Sequence, residues 1–198
     1  MPNPAPRRLG LLGGTFDPPH LGHLAAARIV LTQLRLDHVD LLVANDPWQK
    51  TDERTVTPAG LRLQMAEALV AGETGLGVDD REIRRGGPTY TADTLEELRG
   101  QQPETELFLI VGSDTAERIT TWHRPEVVRS LSTLVIVNRG EQKAPQQVDS
   151  AIHVFMEPVE ASSTSIRDRI TRGDSVDHLT VKGVLNIIQA NGLYRSAS

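Results

Sequence analysis

His20 and His23 stand three residues apart behind a glycine turn, in the stretch LGLLGGTFDPPHLGHLAAARIV that begins at Leu9. The glycines Gly13 and Gly14 let the backbone approach a ligand closely. A helix starting just behind them offers unpaired N–H groups and the positive end of its dipole, which attract anions. Both imidazoles lie at or just before that start, so both can face one anion. The lysine and spacing of a phosphate-binding P-loop are missing, and so is G-x-G-x-x-G, so the loop is not an ordinary NTPase or dinucleotide turn. Taken singly, either histidine also reads as a surface or helix-capping residue. A zinc site lacks a third and a fourth ligand at suitable spacing.

SSTSIRDRI, Ser162–Ile170, is the second stretch with chemistry in it. Two serines and a threonine precede a helix whose start lies close to Arg167. Hydroxyls, free N–H groups and a guanidinium together suit a polyphosphate. By itself the pattern is equally an ordinary capped helix.

The elements that must position these residues alternate. Arg8–Leu12 reads as a buried first strand and Leu24–Leu34 as a helix with Leu24, Ala27, Val30, Leu31 and Leu34 on one side. Strands follow at HVDLLVAND, LGVDDREIRR, ELFLIVGSD, STLVIVNRG and AIHVFMEP. Helices are expected at TPAGLRLQMAEALVA, with Thr57 as N-cap and Pro58 at the first position, at TADTLEELRG, stopped by Gly100, and at RPEVVRS. The last two helices fall in STSIRDRITRG and TVKGVLNIIQANGLY. This alternation predicts an α/β fold, a Rossmann-like doubly wound parallel sheet with a small C-terminal helical part. One domain is expected over 1–198, with the core at about 8–160 and the helices at about 161–194. In such sheets ligands sit beyond the carboxyl ends of the strands, which is where the histidine loop lies. Polar Gly140–Val148 reads as a mobile loop, and Arg81, Arg84 and Arg85 as solvated strand charges.

The whole chain limits the choice of function. Its 198 residues carry 21 basic and 26 acidic side chains, a net charge of −5, which disfavours a general nucleic-acid surface. The absence of cysteine excludes a disulfide framework and a thiolate zinc site and fits the reducing cytoplasm. No apolar run is long enough for a membrane span, and MPNPAPRRLG lacks the apolar core of a signal peptide.

GGTFDPPHLGH resembles the signature of the H-x-G-H nucleotidyltransferase superfamily, and SSTSIR its I-S-S-T-x-x-R motif, with Ala161 where isoleucine is usual. Three further stretches are similar to the bacterial nicotinate mononucleotide adenylyltransferases. GGPTYTADTLEELR matches their P-[ST]-Y-T-x-x-T-L motif, and VGSDTAERITTWHRPEVV their G-x-D…W segment. NDPWQK stands where they carry a loop with proline and a basic residue. The resemblance runs from about Arg8 to Tyr194.

It implies transfer of the adenylyl group of ATP to nicotinate mononucleotide, giving deamido-NAD and pyrophosphate, a step of NAD biosynthesis. On this basis His20, His23 and Arg167 are the expected catalytic residues. Gly14, Thr15, Phe16, His20, His23, Gly112, Asp114, Ser163, Thr164 and Arg167 are expected to bind ATP. Asn45, Lys50, Tyr90, Thr91, Asp114 and Trp122 are expected to bind nicotinate mononucleotide. Trp122 offers a face to the cationic ring. Backbone N–H groups around Tyr90 and Thr91, with the Thr91 hydroxyl, offer donors to the carboxylate.

Read by themselves, Trp122 is also a core aromatic, Tyr90 a packing residue at a helix start and Asp114 a helix N-cap. Trp48 reads as loop packing, and Arg139 is in reach of a phosphate. Mg²⁺ is expected to arrive with ATP, with no assigned protein ligand and Asp17 as a candidate. The expected partners are the two substrates, with no nucleic acid and no membrane; a homo-oligomer is left open. Nicotinamide mononucleotide or phosphopantetheine as acceptor, and a nucleotide-binding regulatory module without catalysis, are the rival readings.

Overall fold

The computed structural model describes residues 7–46, 56–140 and 150–195. Its sheet has six parallel strands in the order β3-β2-β1-β4-β5-β6. The strands are β1 Arg8–Gly14, β2 His38–Val43, β3 Leu76–Asp79, β4 Glu106–Gly112, β5 Thr133–Arg139 and β6 Ile152–Met156. The helices are α1 Leu21–Gln33, α2 Ala59–Val70, α3 Arg81–Arg85, α4 Thr91–Gln101, α5 Ser113–Ala116, α6 Pro125–Leu131, α7 Ser163–Arg172 and α8 Lys182–Ala190. A 3₁₀ turn, Ile119–Thr121, separates α5 from α6. The predicted Rossmann-like α/β sheet is what forms.

Parallel strands covered on both faces must be apolar throughout. β4 meets this condition with five buried residues in a row, Leu107 to Val111. Alternate side chains of the sheet feed two cores. On one face Leu12, Leu41, Phe108, Ile110 and Val135 meet Leu24 and Val30 of α1, Met65 and Leu69 of α2, and Val184 and Ile188 of α8. On the other, Leu9, Leu11, Leu109 and Ile136 meet Leu95 and Leu98 of α4 and Val128 of α6. The C-terminal helices therefore join the main core through α8, and α7 adds a small cluster around Ile166 and Leu179.

Four expectations need correction. The third strand ends at Asp79, and Arg81–Arg85 turns helical. Glu82 lies in the first turn of that helix, Arg84 and Arg85 in its last, and Arg84 pairs with Asp80 one turn back, an arrangement that suits a helix. Arg81 is not a solvated charge: it is 9% exposed and its Nε donates to Asp79 Oδ2 at 2.5 Å. α2 is capped by Pro58, not Thr57, and α4 runs through Gly100 to Gln101. Among the described residues no helix is long and apolar enough to cross a membrane. The segment expected as a mobile loop lies outside the described residues from position 141 on.

Candidate active site

The chain order of the sheet reverses between β1 and β4, and ligands of such folds bind where that happens. A cavity of about 640 Å³ opens there. Its volume suits a small-molecule site.

β1 delivers the histidine loop to this cavity. Phe16 turns back under Gly14 with φ +52°, a left-handed conformation uncommon for a residue with a side chain. Gly14 is required there: a Cβ on it would stand 2.8 Å from the Phe16 ring. The peptide bond between Asp17 and Pro18 is cis.

The two histidines then cap α1 reciprocally. The Gly22 N–H donates to Nδ1 of His20 at 3.1 Å, and the His20 N–H donates to Nδ1 of His23 at 3.2 Å. A neutral imidazole whose Nδ1 accepts carries its proton on Nε2. Capping therefore fixes Nε2 as the donor nitrogen of each ring. The rings stack at 3.8 Å between centroids, and Phe16 meets His23 edge-on at 5.0 Å. His23 lies on the cavity wall. His20 stacks behind it, 2% exposed and off the wall. The capping and anion-binding readings are thus compatible for His23, while His20 serves as a cap.

The start of α7 is sewn to the same loop. Ser162 caps the helix by accepting the Ser165 N–H. The carbonyls of Asp17, Pro18 and Pro19 accept in turn from Arg167 Nη1 at 2.8 Å, Ser163 Oγ at 2.8 Å and Thr180 Oγ1 at 3.0 Å. Arg167 also donates to Thr164 Oγ1 at 3.1 Å. Ser163, Thr164 and Arg167 all reach the cavity wall. Asp17 is 1% exposed; its Oδ1 accepts the Tyr194 hydroxyl at 2.6 Å and its Oδ2 the Thr57 N–H at 3.4 Å. Burial and the Asp17 carboxylate push the Tyr194 phenol well above its ordinary range, so it stays a donor.

From the elements packed on the other face of the sheet, the cavity is lined by Thr89, Tyr90 and Thr91 at the start of α4, with Trp122 and His123 beyond α5. The Tyr90 and His123 rings lie 4.5 Å apart. The buried indole N–H of Trp122 has no hydrogen-bond partner among the described residues. Gly112 and Asp114 line it as well, at the end of β4 and in the first turn of α5. Asp114 makes no N-cap bond; Gly112 occupies the cap. Asn45 is off the wall: its side chain donates to the Gly87 carbonyl and its N–H to Thr89, which ties the β2 loop to the loop before α4. Lys50 and Trp48, and the side chain of Arg139, lie outside the described residues.

Two residues were not anticipated. Arg62 is 1% exposed and donates to four carbonyls, those of Thr57, Thr15, Ala44 and Asn45, at 2.7–2.8 Å. It binds the loops after β1 and β2 together. Its signal is periodicity, since Arg62, Met65, Ala66 and Leu69 share one helical face and the last three are apolar. Glu82 is 3% exposed and lies on the cavity wall. Burial pushes its carboxyl up to about 7, against the opposing pull of the Thr94 hydrogen bond and of Arg85.

Residues 11–169 match the family described as cytidylyltransferase-like. The chain belongs to that family. Within it the chain is 42% identical to a protein of Saccharopolyspora erythraea named "Probable nicotinate-nucleotide adenylyltransferase", over 96% of this chain and 90% of the relative. A protein of the same name from Dehalococcoides mccartyi is 39% identical over 94% of this chain and 97% of its own length. The fold is also that of Plasmodium falciparum nicotinic acid mononucleotide adenylyltransferase, solved in complex with NaAD. The TM-score is 0.77 at 16% identity, over 95% of this chain and 97% of that one. The family's enzymes are nucleotidyltransferases, and the stretches G-G-T-F-D-P-P-H-L-G-H and S-S-T-S-I-R lie side by side on the cavity wall, bonded to each other through the carbonyls of Asp17 and Pro18.

Proposed function

We propose that the chain transfers the adenylyl group of ATP to nicotinate mononucleotide, with pyrophosphate as the second product. The observation that carries this reading is the division of the cavity. His23 belongs to α1 on one face of the sheet and Arg167 is bonded to its loop, whereas Tyr90, Thr91 and Trp122 belong to the elements packed on the other face, and all of them line the one cavity with Asp114. An oxygen of the acceptor's phosphate bonds to the α-phosphorus of ATP as the bond from that phosphorus to the β-bridging oxygen breaks. Positioning and charge stabilisation supply most of the catalysis in such transfers.

His23 donates from Nε2 to the phosphates, and His20 holds that ring and the helix start in place. Arg167 and the first turn of α7 hold the leaving pyrophosphate. Asp114 accepts ribose hydroxyls. The Trp122 face meets the pyridinium ring, and the α4 N-terminus meets its carboxylate. Mg²⁺ belongs to the ATP substrate and is held mostly by phosphate and water. Asp17, whose two carboxylate oxygens already accept from Tyr194 and Thr57, orders the loop in this scheme.

The test is dinucleotide formation from MgATP with a panel of acceptors. Nicotinate mononucleotide is the expected substrate. Nicotinamide mononucleotide should be poorer by orders of magnitude in kcat/KM, because its amide offers N–H where the site also offers N–H and leaves groups unpaired. Equal kcat/KM for the two acceptors would sink the carboxylate pocket, and a substrate lacking the pyridine ring would sink the assignment.

A further inference from the structure

We infer that Glu82 is a specificity-determining residue of the acceptor end, whose buried carboxyl governs how strongly the site holds an acceptor that itself carries a carboxylate. The inference rests on the division of the cavity proposed above. It goes beyond that division by placing a titrating acidic group in the wall beside an anion site.

The geometry begins with Thr94. Thr94 is fully buried and is the fourth residue of α4, and its hydroxyl donates to Glu82 Oε1 at 2.7 Å. Glu82 is thereby fixed beside the first turn of α4, the turn whose N–H groups serve the acceptor. The Thr94 oxygen in turn accepts from Arg85 Nη2 at 2.7 Å, so the chain of donors runs from Arg85 through Thr94 to Glu82. Thr94 is the one side-chain hydrogen-bond partner of Glu82 among the described residues.

The charges around Glu82 are few, and the two cations are committed elsewhere. On its own helix stand Arg81 and Arg85, and on β3 stands Asp79. Arg81 is paired with Asp79. Arg85 is shared with Glu97 of α4 at 3.1 Å. Neither therefore neutralises Glu82 outright, and desolvation in this buried wall position pushes the carboxyl up to about 7.

An ionised Glu82 puts negative charge under the donors that hold the acceptor's carboxylate, and a protonated Glu82 does not. The carboxylate acceptor then binds best to the protonated form, and by reciprocity its binding raises the Glu82 pKa. An amide acceptor carries no such charge and is indifferent. Discrimination between the two acceptors accordingly falls as pH rises through neutrality. Each unit by which the acceptor raises the Glu82 pKa corresponds to about a tenfold loss of affinity at high pH.

The experiment measures kcat and KM for nicotinate and nicotinamide mononucleotides between pH 6 and 8.5, at saturating MgATP, on wild type and Glu82→Gln. Both acceptors carry the same titrating phosphate, so its contribution cancels in their ratio. Wild type should lose discrimination with rising pH, and the loss should lie in KM for the nicotinate compound. Glu82→Gln, neutral throughout, should show a ratio independent of pH. Parallel profiles in the two proteins would overturn the inference while leaving the proposed reaction standing. No dinucleotide at any pH would overturn both. Should Glu82→Gln fail to fold, NMR titration of the Glu82 carboxyl in wild type decides the matter. A pKa that rises on adding nicotinate mononucleotide supports the inference, and an unmoved pKa ends it.

Discussion

The two ends of the cavity are held by different kinds of bond. At the phosphate end, neutral carbonyls of Asp17, Pro18 and Pro19 accept donors from Arg167, Ser163 and Thr180, residues 145 to 161 positions away in the chain. Prolines suit this, because they fix the backbone and remove an N–H that would need its own partner. At the ring end the ties are ion pairs between neighbouring elements, Arg124 with Asp93 and Glu96, and Arg85 with Glu97. Bonds to neutral backbone carbonyls, here buried or part-buried, depend little on salt and fix one geometry; half-exposed ion pairs are weak and screened. On the proposed function, the comparison makes the phosphate end preorganised for transition-state charge and the ring end the more adjustable of the two.

The largest effect should come from removing the donor that the preorganised end presents. His23→Ala deletes one Nε2–H on the cavity wall and should lower kcat by about 10²–10³. Circular dichroism should show the fold retained, since His20 still caps α1 through the Gly22 N–H. Turnover near the wild-type rate would break the comparison at its strongest point, because it would show that the phosphate end does not use its fixed donor.

The second effect tests the long-range ties themselves. Tyr194→Phe removes the 2.6 Å bond to Asp17 and leaves a 1% exposed carboxylate with less support. Losing a partner of a buried charged group costs on the order of 1–3 kcal/mol. For a chain of this size each kcal/mol lowers Tm by about 2–4 °C. Thermal unfolding with and without ATP checks it: KM for ATP should rise and KM for the acceptor should stay, since Asp17 belongs to the histidine loop. An equal rise for both substrates would mean that the two ends are coupled through the C-terminal helices.

The same division explains what was legible in the sequence. The apolar run Glu106–Gly112 announced β4, and G-G-T-F-D-P-P-H-L-G-H announced the loop, because burial and capping are local properties written in local residues. Gly14, Thr15, Phe16, His23, Gly112, Asp114, Ser163, Thr164 and Arg167 all reach the cavity wall, as do Tyr90, Thr91 and Trp122. Thr57 misled because its partners are distant: Tyr194, 137 residues on, receives its hydroxyl, and α2 starts without a side-chain cap. Arg81 misled because a charged run reads as solvent, whereas pairing with Asp79 lets it be buried. Glu82 lay in that same run. Whether a carboxyl in DDREIRR faces water or a cavity depends on how α3 turns against α4, which no local pattern specifies. Asn45 bonds the loop that carries Tyr90 and lies off the cavity wall, a placement that depends on contacts some forty residues away in the chain.

The smallest effect should come from loosening the ring end. Arg124 adopts φ +50° and lies two residues after Trp122. Its guanidinium donates to Asp93 Oδ1 at 2.5 Å and to Glu96 Oε1 at 2.9 Å, anchoring the Trp122 segment to α4. Its side chain is about a third exposed, as are its partners or more so, and pairs of that kind contribute little to stability. Arg124→Ala should therefore leave the unfolding transition nearly where it was. On the proposed function it loosens the segment that sets Trp122 against the acceptor ring, and the expected result is a rise of about two- to threefold in KM for the acceptor, the scale of one exposed pair. Salt discriminates this from damage to the fold. At about 1 M salt the Debye length falls to about 3 Å, the wild-type pair is screened, and the two proteins should converge in acceptor KM. Persistence of the gap at high salt would show that Arg124 acts through packing, and the ring end would then be as rigidly built as the phosphate end.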